Sequence, residues 1–156
     1  MSISYCEEYV SFKGELSDND IKELVSAGKF KRIQTDSATL DKATFKKLND
    51  KYFVSFPEVE LRIYTSGDCD IDGISLMDKR RKLSVESSAS IVNIEEIYSL
   101  ENLKSINLEA KSIADKDFLN KLPRGIESLG LKLASKSFDL KGITRFSELK
   151  ILSLHN

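Results

Sequence analysis

The chain has 156 residues, of which 40% are hydrophobic and 31% charged, with a formal net charge of −1. This size and apolar content predict one domain around a continuous core. The balanced charge gives no overall attraction to nucleic acid or to an acidic membrane, and no apolar run has the length of a bilayer span, so neither partner is expected. Glu7 and Glu8 interrupt any secretory leader, and the cysteine content is low, which favours a cytoplasmic location.

Seven pairs of residues recur along the chain, each with one residue between its two members. Six pairs are wholly apolar, and successive pairs begin 23, 28, 22, 23, 23 and 23 residues apart. The alternation predicts short strands with one buried face, and the near-constant interval predicts a stacked array of similar units. The pairs are Val10/Phe12, Ile33/Thr35, Leu61/Ile63, Leu83/Val85, Ile106/Leu108, Leu129/Leu131 and Leu152/Leu154.

Several segments between these strands are predicted to cross back as short helices. Residues 17–27 offer Ser17 or Asp18 as an N-cap, followed by an apolar stripe. Residues 40–51 and 115–122 have similar stripes. Residues 91–100 place an apolar residue at every third position, which suits a helical or 3₁₀ crossing.

The clearest units share one spacing of apolar residues. They begin at Leu103, Ile126 and Leu149 and follow the pattern L-x-x-L-x-L. This pattern resembles the leucine-rich repeat family, closely over residues 100–156 and more loosely over 1–99. The earlier units depart from it at the first apolar position, which is occupied by Glu7, Glu58 and Arg80. The family's asparagine ladder is also absent, because its positions hold Glu15, Ala38, Ser66, Ser88, Lys111 and Ala134.

The resemblance implies an α/β fold, a leucine-rich-repeat solenoid. About seven short parallel strands would form the concave face, with helical or 3₁₀ crossings on the convex face. Residues 1–156 would be a single domain, with irregular repeats over 1–58 and regular repeats over 59–156. The alternative is an ordinary α/β domain with coincidental spacing.

Two charged stretches are candidate sites. The segment Asp68 to Gly73 resembles the opening of an EF-hand calcium loop, but Lys79 occupies the position that needs a bidentate carboxylate. We therefore expect a solvated acidic turn and no metal site. The basic run 79–82 lacks interleaved aromatic residues, so a solvated loop is expected rather than a nucleic-acid patch.

Catalytic chemistry finds little support. His155 is the only histidine, and the two cysteines, Cys6 and Cys69, have no metal or redox spacing and are expected to be buried inert thiols. No glycine-rich phosphate loop is present. We therefore expect a non-catalytic protein without a cofactor.

The candidate functional surface is the concave face of the sheet. Side chains that flank and separate the buried pairs form three columns across the strands, rich in tyrosine, arginine and alternating charge. Seven strands would present a ledge of about 30 Å to another protein. The predicted protein-binding residues are Tyr9, Arg32, Gln34, Asp36, Glu60, Arg62, Tyr64, Lys82, Glu86, Asn107 and Glu109.

The sequence thus predicts a protein-binding module. Its size and lack of catalytic motifs suggest a bacterial immunity-type protein that neutralises a toxin, by analogy. The alternative is the substrate-targeting repeat segment of a larger enzyme or effector, truncated at its C-terminus. Because little chain follows strand 149–154, that strand is also expected to pair with a second copy in a homodimer, unless a longer native protein covers it.

Overall fold

The computed structural model describes residues 3–37, 41–134 and 139–155, and eleven strands lie in these ranges. The strands are β1 Ile3–Tyr5, β2 Tyr9–Phe12, β3 Arg32–Asp36, β4 Glu60–Thr65, β5 Cys69–Asp70, β6 Lys82–Ser87, β7 Ser90–Val92, β8 Ser105–Ala110, β9 Ser112–Ile113, β10 Ser128–Leu133 and β11 Ile151–His155.

Eight strands form the main sheet, in the order β1-β2-β3-β4-β6-β8-β10-β11. The seven strands from β2 to β11 are parallel to their neighbours, as the apolar pairs predict, and the short β1 pairs antiparallel with β2. The chain is therefore a mixed α/β protein with a large, mostly parallel sheet that does not close into a barrel. A second, three-stranded parallel sheet, β5-β7-β9, was not predicted.

The predicted register of the main sheet is confirmed. Ile33 lies beside Leu61, Leu61 beside Leu83, and the pairing continues to Leu152 in β11. The paired positions from Ile33 to Leu131 are at most 1% exposed, including the polar Thr35. They pack on one side of the sheet against the crossing segments and form one core.

Two α-helices lie in the first crossings. Helix α1, Asp18–Ala27, begins at Ser17, whose hydroxyl and the Asp20 carboxylate form a capping box, as the sequence indicates. Helix α2, Lys42–Leu48, is shorter than the predicted helix over 40–51 and widens into a π-helical turn at Asn49–Phe53; Leu40 lies outside the described residues. Neither helix has the length and apolar content to cross a bilayer.

The later crossings are 3₁₀ turns rather than α-helices. The predicted helix over 115–122 is reduced to Phe118–Asn120, and the predicted crossing over 91–100 splits into β7 and the turn Ile94–Ile97. Asn93, in the left-handed region at φ 59°, separates these two elements. Apolar residues three apart align in a 3₁₀ turn, so short crossings bury them without a full helix. The remaining turns are Ile74–Leu76 and Leu140–Arg145.

One side chain departs from its predicted environment. Arg80, expected in a solvated loop, is only 1% exposed, because it occupies the inward position that the clearest units give to leucine or isoleucine. Leu152 and Leu154 are 44% and 47% exposed, in agreement with the uncovered strand expected at 149–154, because β11 is the last strand of the described sheet and lacks a covering neighbour there.

The two cysteines differ from each other. Cys69 is buried as predicted, but Cys6 is exposed, so the prediction of two buried thiols is wrong for Cys6. Cys6 lies in the turn between β1 and β2, where its amide donates to the carbonyl of Tyr9. Burial raises the pKa of the Cys69 thiol to about 12, so this thiol stays protonated at neutral pH.

Candidate functional site: the outer face of the main sheet

The eleven predicted binding residues lie together on one face of the main sheet. This outer face is the side opposite the core, and it carries the residues that flank and separate the buried pairs. The strand pairing aligns them in three columns that run across β2, β3, β4, β6 and β8. The columns are Tyr9, Arg32, Glu60 and Lys82; Gln34, Arg62 and Asn107; and Asp36, Tyr64, Glu86 and Glu109.

A chain of hydrogen bonds crosses the outer face from β2 to β8. The Gln34 amide donates to the Ser11 hydroxyl at 2.9 Å, and Arg62 Nη1 donates to Gln34 Oε1 at 3.3 Å. Arg62 and the Ser84 hydroxyl both donate to Glu86, and the Asn107 amide donates to Ser84 at 3.1 Å. We call this set of residues the polar chain: Ser11, Gln34, Arg62, Glu86, Ser84 and Asn107.

The polar chain buries two of its own members. Gln34 and Ser84 lie on the outer face, as the register of the strands predicts, yet they are only 9% and 2% exposed. They are covered because larger neighbours, above all Arg62, lie against them and use their polar atoms. Gln34 therefore contributes to a surface chiefly by holding Arg62 in place.

Arg62 is the most constrained side chain of the outer face. It donates to Glu86 through two nitrogens, with Nε 2.7 Å from Oε1, and its guanidinium carbon lies 4.7 Å from the centre of the Tyr64 ring. Hydrogen bonding to Glu86 raises the pKa of Arg62, and the same bonds lower the pKa of Glu86. Both side chains are about a quarter exposed, at 26% and 23%. A bidentate, largely buried pair of this kind fixes the arginine plane.

Smaller contacts extend this pattern to both sides. Arg32 pairs with Glu60 on the next strand, and Lys132 of β10 pairs with Glu109 at 2.6 Å. Tyr9 is 39% exposed at the β2 end of the face. The outer face therefore combines fixed ion pairs with accessible aromatic surface, a composition typical of protein interfaces.

Gly130 continues the column of Gln34, Arg62 and Asn107 into β10. A Cβ placed at Gly130 would collide with the Asn107 side-chain oxygen, so glycine leaves space for Asn107 to lie across the neighbouring strand. Small residues therefore occupy much of the outer face between β8 and β10, where Ser105 lies opposite Ser128 and Asn107 lies opposite Gly130.

Two carboxylates of the acidic turn at 68–73 form hydrogen bonds or ion pairs with other residues of the chain. Asp70 accepts from the Asn93 amide at 2.7 Å and from the amide of Asp72, and Asp72 pairs with Lys42 at 2.7 Å. Among the described residues no group of three potential metal ligands converges. These bonds favour the predicted acidic turn over a calcium loop.

His155 contacts the Ser153 hydroxyl at 2.7 Å on the exposed strand β11. A nucleophilic pair would need a third group to orient the imidazole. Among the described residues no carboxylate is bonded to His155, so this contact supplies no nucleophilic arrangement.

Comparisons of this chain with protein-family models, with curated proteins and with solved structures return no match. The functional conclusions therefore rest on the residues and geometry described above.

Proposed function

We propose that the chain is a leucine-rich-repeat protein that binds another protein through the outer face, without a cofactor. The polar chain is the observation that carries this proposal. Its bonds hold Arg62 and Glu86 in one geometry before any partner arrives, so association would cost little side-chain freedom. Arginine and tyrosine in such a setting are the residues that most often dominate interfaces.

The repeat form of the proposal is supported by the strand pairing. Each strand from β2 to β11 lies in register with a strand of the next unit, and the crossings between them are short helices or 3₁₀ turns. At the family's asparagine position, the Ser88 hydroxyl donates to the turn carbonyl of Ser66 in the preceding unit. The neighbouring Ser87 hydroxyl donates to the carbonyl of Gly67 at 2.7 Å and accepts from the amide of Ala89.

The specific form that we propose is a bacterial, cytoplasmic, toxin-neutralising protein. This part rests on analogy with small proteins that act only by binding, and the partner would be identified by pull-down from the native host.

Charge reversal on the outer face tests the proposal. Arg62→Glu is expected to weaken partner binding by at least about 2 kcal/mol, measured by calorimetry, because a partly buried charge costs more to misplace than a rim charge. The matched control is Lys46→Glu on α2, where Lys46 pairs with Asp50 at 3.1 Å and is 66% exposed. This control should leave binding nearly unchanged.

Arg62→Glu also places two carboxylates side by side, so folding must be separated from binding. The exchange Arg62→Glu with Glu86→Arg restores the internal pair in the opposite orientation and should melt like the wild type, yet still lose the partner. The proposal would be contradicted if Arg62→Glu and Lys46→Glu reduced partner affinity equally, or if only Lys46→Glu reduced it. Either result would indicate that the interface lies on another surface. Full binding by the exchanged variant would contradict a role for Arg62 in recognition.

A further inference from the structure

The amino-terminal ends of the main-sheet strands carry a continuous row of basic side chains. Three adjoining hollows of about 170, 400 and 490 Å³ follow this rim, and seven basic and four acidic side chains line them. The chain as a whole has a net charge of −1. The outer-face column at the other end of the strands holds Asp36, Glu86 and Glu109 against two lysines. Charge is therefore separated along the strands, with the cations at the rim.

The largest hollow, which we call the rim groove, runs from Glu58 to Lys150. Its two carboxylates are each shared between two cations. Glu58 lies 2.9 Å from Arg81 and 3.7 Å from Lys82, and Glu127 lies 2.7 Å from Lys150 and 3.5 Å from Lys104. Four cations thus face two anions, and the groove has a local excess of two positive charges.

The cations of the rim groove are held by the fold. The amide of Lys104 donates to the carbonyl of Arg81, the amide of Glu127 donates to the carbonyl of Lys104, and the amide of Lys150 donates to the carbonyl of Glu127, each at 2.8 Å. These bonds repeat the strand spacing, so the side chains stand about 4.8 Å apart along the rim. Ser105 and Ser128 line the floor with hydroxyl groups, and the exposed Ile151 closes the β11 end.

We propose that the rim groove binds an extended acidic segment of the partner protein, an inference that rests on the proposed protein-binding function. Four strand spacings from β4 to β11 cover about 19 Å, which an extended segment of about six residues would span. Its carboxylates would lie near Lys82 and Lys104, between the two native glutamates, and an apolar side chain would contact Ile151.

A nucleic acid fits this groove less well. Its phosphates would meet the fixed carboxylates of Glu58 and Glu127, and among the described lining residues no aromatic ring is available to stack on a base. A protein segment can alternate its acidic residues to avoid both glutamates, which a regular phosphate backbone cannot do.

The test uses the full chain, labelled with ¹⁵N, and three probes in NMR titrations. The probes are an eight-residue peptide of aspartate and glutamate with one leucine, the same peptide with asparagine and glutamine, and an eight-nucleotide oligo(dT). The acidic peptide should shift the amides of Ser105, Ser128 and Ile151, and its affinity should fall as salt is raised. The double variant Arg81→Gln, Lys104→Gln should bind the acidic peptide roughly tenfold more weakly. The control is Lys132→Gln, because Lys132 is similarly exposed and pairs with Glu109, and it should change the peptide affinity by less than about twofold.

Equal binding of the neutral peptide, shifts confined to other surfaces, tighter binding of the oligonucleotide, or no saturable binding at millimolar peptide would each overturn the inference. The partner experiments separate this inference from the proposed function. If Arg62→Glu abolishes partner binding and the rim variant does not change it, the rim inference fails alone. If the rim variant weakens partner binding and the outer-face variants do not, the rim-groove inference is supported and the proposed binding through the outer face is refuted.

Discussion

Replacing Arg80 by methionine is expected to stabilise the fold. The Arg80 side chain is 1% exposed, and its Nη1 donates to the carbonyl of Met77. Nε and Nη2 have no hydrogen-bond partner among the described residues. Burial lowers the pKa of the guanidinium from its ordinary value to about 9, so Arg80 is charged at pH 7 inside the core. Methionine has a similar length and no charge to desolvate.

The expected gain follows from these contacts. Desolvating a guanidinium without a counter-ion costs several kcal/mol. Loss of the Met77 bond removes about 1 kcal/mol, and imperfect repacking costs about 1 kcal/mol more. The Arg80→Met chain should therefore be more stable by about 1–4 kcal/mol.

Urea melts at pH 7 and pH 10 measure this gain. As the pH rises past about 9, the unfolded wild type binds more protons than the folded wild type, so wild-type stability rises with pH. The stability difference between Arg80→Met and wild type should therefore be smaller at pH 10 than at pH 7. Arg81→Met is the control, because Arg81 is 51% exposed, and it should change stability by less than about 1 kcal/mol. A loss of more than about 1 kcal/mol in Arg80→Met, with an unchanged m-value, would refute the reasoning.

Three further predictions concern stability. Leu108→Ala should cost about 2–5 kcal/mol in urea melts, because Leu108 is fully buried, and a loss under about 0.5 kcal/mol would contradict that burial. Arg62 lowers the pKa of Glu86 below 4.5, so the stability difference between wild type and Glu86→Gln should be full above pH 4.5 and disappear as acid titrates the folded pair. Millimolar calcium should leave thermal melts unchanged; a site of 10 μM affinity would add about 2.7 kcal/mol, abolished in Asp70→Ala.

The parallel main sheet was predictable because its signal is repeated. Each strand buries two residues in alternation, and seven occurrences at nearly equal intervals fix both strand position and register. The strands β5, β7 and β9 could not be predicted from alternation, because strands of two or three residues are too short to show it. Their order depends on contacts between neighbouring units, such as the 2.8 Å contact between the hydroxyls of Ser90 and Ser112.

The positions of the outer-face residues were predictable, but their contacts were not. Register alone places Gln34, Arg62 and Asn107 in one column. Hydrogen-bond donors and acceptors lie next to one another in this column and its neighbour, and this arrangement could have indicated the polar chain. Sequence does not show which rotamer a long side chain adopts, so the burial of Gln34 and Ser84 was missed. The burial of Arg80 was missed because four consecutive basic residues indicated solvent, although its spacing from Leu83 indicated the core.

The final prediction concerns β11, whose outer edge has no strand partner among the described residues. The amide of Ile151 donates to the carbonyl of Glu127, towards β10. Backbone groups alternate along a strand, so those of Leu152 and Leu154 point away from the sheet. A two-fold axis at Ser153 would place Leu152 of one copy opposite Leu154 of the other, where each pair exchanges two hydrogen bonds and covers the exposed leucines.

We therefore expect an antiparallel homodimer, because this register gives hydrogen-bond partners to the backbone groups at the β11 edge and also covers the exposed leucines. Light scattering should give twice the chain mass of 17.6 kDa at high concentration. Leu152→Lys should give the monomer, since two lysines would then lie beside the partner's leucines, whereas Ser153→Thr at the axis should keep the dimer. A monomeric wild type at high concentration would rule out this pairing. A dimer that survives Leu152→Lys would place the contact on another surface.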